Sequence, residues 1–220
     1  MNMKKLVVAI DGPAGAGKST VAQIAAQKLH YTYIDTGAMY RAVAWRVLQE
    51  QKAVTDELIL EVVKDIHVAL RYEDGKTLVF VGEKEISGEI RTPEVTGIVS
   101  QVARLKPVRE KMVFLQRKMA EQGAVVMDGR DIGSQVLPNA DVKIFLTASI
   151  EERAMRRWKE MQEKGYEVSL PELQKEIAAR DKADSERKVS PLVRCEDAAL
   201  LDTTGMSIQE VVQAILDMCR

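Results

Sequence analysis

Residues 5–20, KLVVAIDGPAGAGKST, constrain this chain more than any other stretch. The apolar run 6–10 has the length of a buried strand. Gly12-Pro13-Ala14-Gly15-Ala16-Gly17 is a turn, and Lys18, Ser19 and Thr20 open an amphipathic helix that runs to about Leu29. G-x-x-x-x-G-K-S between a strand and a helix is the setting in which this pattern holds a polyphosphate. The glycines let the backbone form a concave nest whose amide hydrogens converge on phosphate oxygens. The helix N-terminus adds partial positive charge at the same place. Lys18 is expected to reach the outer phosphates and the Ser19 hydroxyl to bind magnesium. A glycine-rich turn that merely caps a helix accounts for the loop, but not for the strand and helix on either side of it.

The pattern after this loop is that of an α/β protein. Residues 33–35 read as a second short strand. Thr36 is expected to cap a helix from 37 to about 51, and a third helix covers 56–65. The periodicity then changes. Residues 67–71 and 77–81 alternate as strands, with Glu73-Asp74-Gly75 as a turn, and 83–86 adds a third short strand. Residues 66–90 therefore read as a small antiparallel insert on a helical subdomain. Helices are expected over 92–103 and from Pro107 to near Gly123. Residues 124–128 form a buried strand ending in an acid, and 142–146 form another. Two charged amphipathic helices cover 150–164 and 170–188. A last strand at 198–202 precedes a closing helix, 207–218, capped by Ser207. Short apolar strands separated by helices specify a parallel sheet covered on both faces. Ligands of such sheets sit at the carboxyl ends of strands, where Gly12, Asp35, Asp128 and Asp202 fall.

With 220 residues and 46% hydrophobic content, one domain over 1–220 can bury a sizeable core. A net charge of −1 gives no general attraction to nucleic acid or to an anionic membrane. No apolar run is long enough to span a bilayer. MNMKK leads straight into the first strand, with no signal-peptide pattern. Cys195 and Cys219 lack metal-ligand spacing and suit reduced thiols in a cytoplasmic protein. With only His30 and His67, zinc chemistry or a histidine base has little to build on.

Three constellations carry chemistry. Asp128-Gly129-Arg130-Asp131 follows a buried strand, so Asp128 is placed like the acid that supports magnesium in nucleotide-binding folds, although an acidic turn also fits. Arg153, Arg156 and Arg157 share a helix face. Alone they suit a solvated helix, but Arg180, Asp181, Lys182, Asp184 and Arg187 on the next helix make the pair suit a lid, about 153–187, that closes over transferring phosphates. Arg41, at the end of DTGAMYR, is either a clamp for an acceptor phosphate beside the second strand or a surface arginine.

The sequence resembles bacterial cytidylate kinases, of the nucleoside monophosphate kinase class. The resemblance rests on DGPAGAGKST, DTGAMYR, SGEIRTPEV, SQVARLKPVRE, DGRDIGSQVLPNADVKIFL, EERAMRRW and ERKVSPL, in order along almost the whole chain. It implies a parallel-sheet kinase core with a lid and a monophosphate-binding subdomain, about 36–105, carrying the β insert. It implies transfer of the ATP γ-phosphate, with Mg2+, to CMP and dCMP in pyrimidine metabolism. By position Arg41 and Arg130 would hold the acceptor phosphate with the Thr36 hydroxyl nearby, Ser100, Arg109, Asp131 and Arg187 would surround cytosine, Arg180 and Asp184 would meet the pentose, and Arg156 would be a catalytic lid arginine beside Lys18, Asp128 and Arg130. ATP would lie on residues 12–20. A carboxylate accepting from the N4 amino group, with arginine and serine donors at N3 and O2, reads cytosine and not uracil. Neither nucleic acid nor a membrane is an expected partner, and the chain is expected to be a monomer. A kinase for another small acceptor, such as UMP, shikimate or dephospho-CoA, is the neighbouring alternative. A GTPase switch lacks its N-K-x-D segment and a D-x-x-G after the acidic strand.

Overall fold

In the computed structural model, residues 5–73, 76–163 and 165–220 are described. The chain runs β1 (Val7–Asp11), α1 (Lys18–Leu29), β2 (Thr32–Asp35), α2 (Thr36–Leu48), α3 (Asp56–Asp65), β3 (Val68–Glu73), β4 (Lys76–Val81), β5 (Lys84–Glu85), α4 (Pro93–Arg104), α5 (Lys106–Ala120), β6 (Val125–Gly129), β7 (Val142–Thr147), α6 (Ile150–Glu163), α7 (Leu170–Glu186), β8 (Ala199–Asp202) and α8 (Ile208–Met218). A π-helical turn, Ile132–Val136, links β6 to the approach of β7.

The apolar runs of β1, β6 and β7 make the centre of a five-stranded sheet with order β2-β6-β1-β7-β8, parallel throughout. Successive side chains of a strand point to opposite faces, and β1 shows the consequence. Val8 and Ile10 pack with Val126, Ile144 and Leu146 under α1 and α8. Ala9 faces the other way, toward Ile34, Met127, Ile132 and Val136. A separate core built on Met39, Trp45, Ile59, Val79, Ile86 and Met112 joins α2–α5 to the small antiparallel sheet β3-β4-β5. A fourth, of Ala154, Leu173 and Ile177, holds α6 to α7.

The ends of elements show where local chemistry decides. A Cβ on Gly12 would sit 1.9 Å from the Leu146 carbonyl oxygen, so only glycine lets the chain leave β1 alongside β7. Ser207 and Glu210 form a reciprocal capping box on α8, as its sequence position suggests. The expected cap on α2 is corrected. Asp35, not Thr36, accepts the Ala38 amide hydrogen at 2.9 Å, and Thr36 is the first residue of the helix. The expected turn at 73–75 falls in part on Asp74 and Gly75, and the expected end of α6 falls on Lys164, all outside the described residues.

Candidate active site

The carboxyl ends of β1, β2 and β6 converge on the loop between β1 and α1. Lys18 is buried there, and its Nζ donates to the Pro13 carbonyl oxygen at 2.7 Å. Burial, reinforced by Arg130, holds its ammonium pKa below the usual lysine range. The Ser19 hydroxyl donates to Asp128 Oδ2 at 3.1 Å, and the Tyr33 hydroxyl donates to Asp128 Oδ1 at 2.7 Å. Burial, with Asp35 nearby, raises the Asp128 pKa. The Thr36 hydroxyl donates to the Asp128 carbonyl at 2.7 Å. That approach needs Gly129, where a Cβ would lie 2.6 Å from Thr36 Oγ1.

Behind the loop stand two arginines of α6. The Arg153 guanidinium donates to Ala14 O at 3.0 Å, to Ala148 O at 2.9 Å and to Asp181 Oδ2 at 2.6 Å. Arg156 donates to Ala16 O at 3.4 Å and to Thr203 O at 2.9 Å. Helical spacing set Arg153, Arg156 and Arg157 on one face, and the structure divides them: Arg153 and Arg156 meet the carbonyls of the phosphate loop. Arg157, one position on, lines the cavity in front of it.

That cavity, about 820 Å³, is lined by Lys18, Ser19 and Asp128 and also by Ser100, Arg109 and Asp131. Thr36, Arg41, Arg130, Arg180, Asp184 and Arg187 line it as well, as do residues 14–17 and Thr20 of the loop. Gly12, Pro13 and Arg156 lie beside the cavity and are not among its described lining residues. The guanidinium groups of Arg41, Arg109, Arg130 and Arg187 are held in place by protein acceptors. Arg41 donates to Thr96 Oγ1 at 2.8 Å, and burial, with Arg180 and Arg91 nearby, lowers its pKa to about 9. Arg130 Nε donates to Asp184 Oδ2 at 3.1 Å, and Arg187 approaches Asp184 Oδ1 at 3.5 Å. Arg109 pairs with Asp131, donates to Ala103 O at 3.1 Å and stands 5.2 Å from the centre of the Tyr40 ring. The Arg180 Nε hydrogen is buried with no partner among the described residues, and burial lowers its pKa to about 10. A cluster of cations lining one cavity, with the pKa values of Lys18, Arg41, Arg180 and Arg187 each depressed by burial, is poised for an anion with several charges.

Four residues were missed by sequence reasoning. Tyr33 fixes the Asp128 carboxylate, Tyr40 lies under Arg109, and Arg91 pairs with Asp35 at 2.7 Å. Asp11 accepts the Ile132 and Gly133 amide hydrogens, each at 2.7 Å. Only Asp11 left a signal, as a charge ending an otherwise apolar strand, VVAID.

The sequence profile of the cytidylate kinase family matches residues 8–220. The chain belongs to the cytidylate kinase family. A curated cytidylate kinase of Bacillus cereus (strain ATCC 10987 / NRS 248) is 53% identical over 216 residues, covering 98% of this chain and 96% of that one. That of Bacillus thuringiensis (strain Al Hakam) is 53% identical over 214 residues, covering 97% and 95%. Among solved structures, a shikimate kinase from Acinetobacter baumannii in complex with shikimate superposes with TM-score 0.50 at 16% identity, covering 98% of this chain and 93% of that one. An uncharacterized protein from Eubacterium ventriosum superposes with TM-score 0.54 at 13% identity, covering 97% of both. At such identities these two show a shared fold. The family assignment agrees with the α/β architecture, the parallel sheet and the small antiparallel insert.

Proposed function

We propose that the chain transfers the γ-phosphate of ATP to CMP and dCMP, giving ADP with CDP or dCDP. The observation that carries this reading is that one cavity is lined both by the phosphate loop and by the Ser100, Arg109 and Asp131 group. A donor triphosphate on residues 12–20 and an acceptor monophosphate near Arg41 and Arg130 then share one enclosure, which is what an in-line transfer requires.

In this reading the chain's own residues orient and neutralise. The amide hydrogens of the loop and Lys18 hold the donor phosphates, and their charge restores full protonation to an ammonium that burial disfavours. Arg153 and Arg156 hold the loop through its carbonyls and so keep the amides facing the phosphates, and Arg156 is also the lid arginine of the catalytic set with Lys18, Asp128 and Arg130. Arg41 and Arg130 clamp the acceptor phosphate with Thr36 beside them, and Arg180 and Arg187 supply further charge. Arg180 and Asp184 meet the pentose. Asp131 accepts from the cytosine N4 amino group while Arg109, Ser100 and Arg187 donate to the base. The Ser19 hydroxyl and the Asp128 carboxylate, 3.1 Å apart on the cavity wall, are oxygen donors of the kind Mg2+ takes alongside nucleotide phosphates. When bound there, Mg2+ would neutralise charge on the donor phosphates.

Residues 1–220 form one kinase unit in this account. Within it, about 36–105 with the insert at 66–90 closes on the acceptor, and about 153–187 closes on the donor. Among the described residues no helix is long and apolar enough to cross a membrane, and Cys195 and Cys219 are unpaired. A cytoplasmic monomer working on small nucleotides fits these features. The test is ADP release with ATP and Mg2+ across CMP, dCMP, UMP, AMP and GMP. Turnover with the two cytidine acceptors well above the rest supports the reading, and a preference for any other acceptor contradicts it.

A further inference from the structure

We propose that Asp11 is a positioning residue for the acceptor half of the site, tying the segment that carries Arg130 and Asp131 to the strand that launches the phosphate loop. The ladder between β1 and β6 pairs Val7 with Val125 and ends where Asp11 meets Gly129. Beyond that point the backbones diverge, one into the phosphate loop and the other into Arg130-Asp131, and no further rung holds them together. The Asp11 side chain continues the connection. Its Oδ1 accepts the Ile132 amide hydrogen and its Oδ2 the Gly133 amide hydrogen, both at 2.7 Å. These two amides open the π-helical turn, and the Asp131 carbonyl accepts from Gln135 and Val136 within that turn. Arg130 and Asp131, which line the cavity, are thus held between the end of β6 and a turn pinned to β1.

A merely space-filling residue has no need to be charged here. Asp11 is buried, and burial raises its pKa to about 6 despite both amide hydrogens and the nearby Lys18. The charged group facing it from the turn segment is Asp131, which raises the pKa further. The stem of Lys143, on β7, packs beside Gly133. An ionised carboxylate offers an acceptor to each of two N–H groups at once. An asparagine of the same shape accepts one and turns its own NH2 toward the other. The substitution Asp11→Asn therefore keeps the volume and breaks one of the two hydrogen bonds that pin the turn.

The inference rests on the reading of Arg130 and Asp131 as acceptor contacts, so Arg130→Ala is measured beside Asp11→Asn. With Asp11→Asn, the KM for CMP is expected to rise about tenfold, as expected for losing one buried hydrogen bond to a charged acceptor. The KM for ATP should change less than about twofold, and the ratio of kcat/KM for CMP over UMP should fall. A purely structural aspartate would lower the melting temperature and leave that split unmoved. If Asp11→Asn shifts both KM values together or neither, while Arg130→Ala raises the KM for CMP alone, this inference is overturned and the site assignment stands. If neither variant touches CMP, both are overturned. Amide exchange in the ligand-free natural protein gives an answer that does not depend on the variant folding. The Ile132 and Gly133 hydrogens should exchange far more slowly than those of an open loop. Exchange at open-loop rates overturns the proposal.

Discussion

Asp131→Asn is the substitution whose consequences the structure specifies most fully. Asp131 and Arg109 are paired with side chains 5% and 3% exposed. Losing one member of such a buried pair costs about 3–5 kcal/mol, because the other charge is left uncompensated. Asparagine keeps a carbonyl acceptor for the guanidinium, and Arg109 retains the Ala103 carbonyl at 3.1 Å and the Tyr40 ring at 5.2 Å. The expected loss is therefore nearer that of one charge-assisted hydrogen bond, about 2–3 kcal/mol. In a chain of this size it lowers the melting temperature by about 5–10 °C. The same exchange alters what the cavity accepts. A carboxylate only accepts, which suits the cytosine N4 amino group, whereas an amide can also donate to the uracil O4. Urea melts and coupled ADP-release assays with CMP and UMP report the two effects separately. The account expects reduced stability, a lower kcat/KM for CMP and a relative gain for UMP. A stability change below about 1 kcal/mol would refute the buried-pair reasoning, and loss for both substrates at a constant CMP to UMP ratio would refute the base reading.

Other outcomes follow from the same geometry. Lys18→Ala should lower kcat by about a hundredfold or more, the scale of removing one electrostatic contact to the transition state, while circular dichroism stays native; near-normal turnover would contradict the phosphate-loop role. The helices α6 and α7 share a small core of Ala154, Leu173 and Ile177, flanked by half-buried Ile150, Trp158 and Leu170 and by the Arg153–Asp181 pair, so hydrogen exchange should show them opening more readily than the central sheet in the free protein and slowing when an ATP analogue and CMP are both present. Unchanged exchange would mark a static pair. Asp11 has a folded pKa of about 6 against an ordinary 3.8, with Lys18 and Asp131 as charged neighbours. Because the folded pKa is raised, its contribution to stability is full below about pH 4 and is lost as pH rises through 6. Stability of the natural protein relative to Asp11→Asn, from urea melts, should thus fall by up to about 3 kcal/mol between about pH 4 and pH 7. A difference that is flat or rises over that range would contradict the burial of a charged Asp11.

What the sequence reveals and what it hides divide along range. Features written in neighbouring residues are legible. Lys18–Leu29 is the helix its periodicity specifies, and Ser207 caps α8 with Glu210 as its partner. The parallel sheet follows from apolar runs at β1, β6 and β7. The cap of α2 was misread because two adjacent residues, Asp35 and Thr36, are both good caps. Tertiary contact decided between them, since the Thr36 hydroxyl is taken up by the Asp128 carbonyl. Helical spacing placed Arg153 and Arg156 together, but spacing says which residues share a face and not what that face meets. Here it meets the carbonyls of the phosphate loop. The π-helical turn at Ile132–Val136 has no repeating pattern to announce it, and the Asp11 contacts that pin it span more than a hundred residues. Arg41 reads equally as a clamp or a surface arginine from its own surroundings in sequence, and Ser100 and Arg109 are placed only by the family resemblance; the fold sets all three around one cavity.

The central claim is that a single cavity takes a cytidine monophosphate at the Asp131 side and a triphosphate at the Lys18 side. A crystal structure of the chain with CMP and a non-hydrolysable ATP analogue tests it most directly. The account predicts the cytosine N4 amino group within hydrogen-bond distance of the Asp131 carboxylate, the CMP phosphate between Arg41 and Arg130, and the analogue's phosphates on residues 12–20 with Lys18. CMP bound with its base away from Asp131, or with its phosphate on the 12–20 loop in place of the analogue, would contradict it.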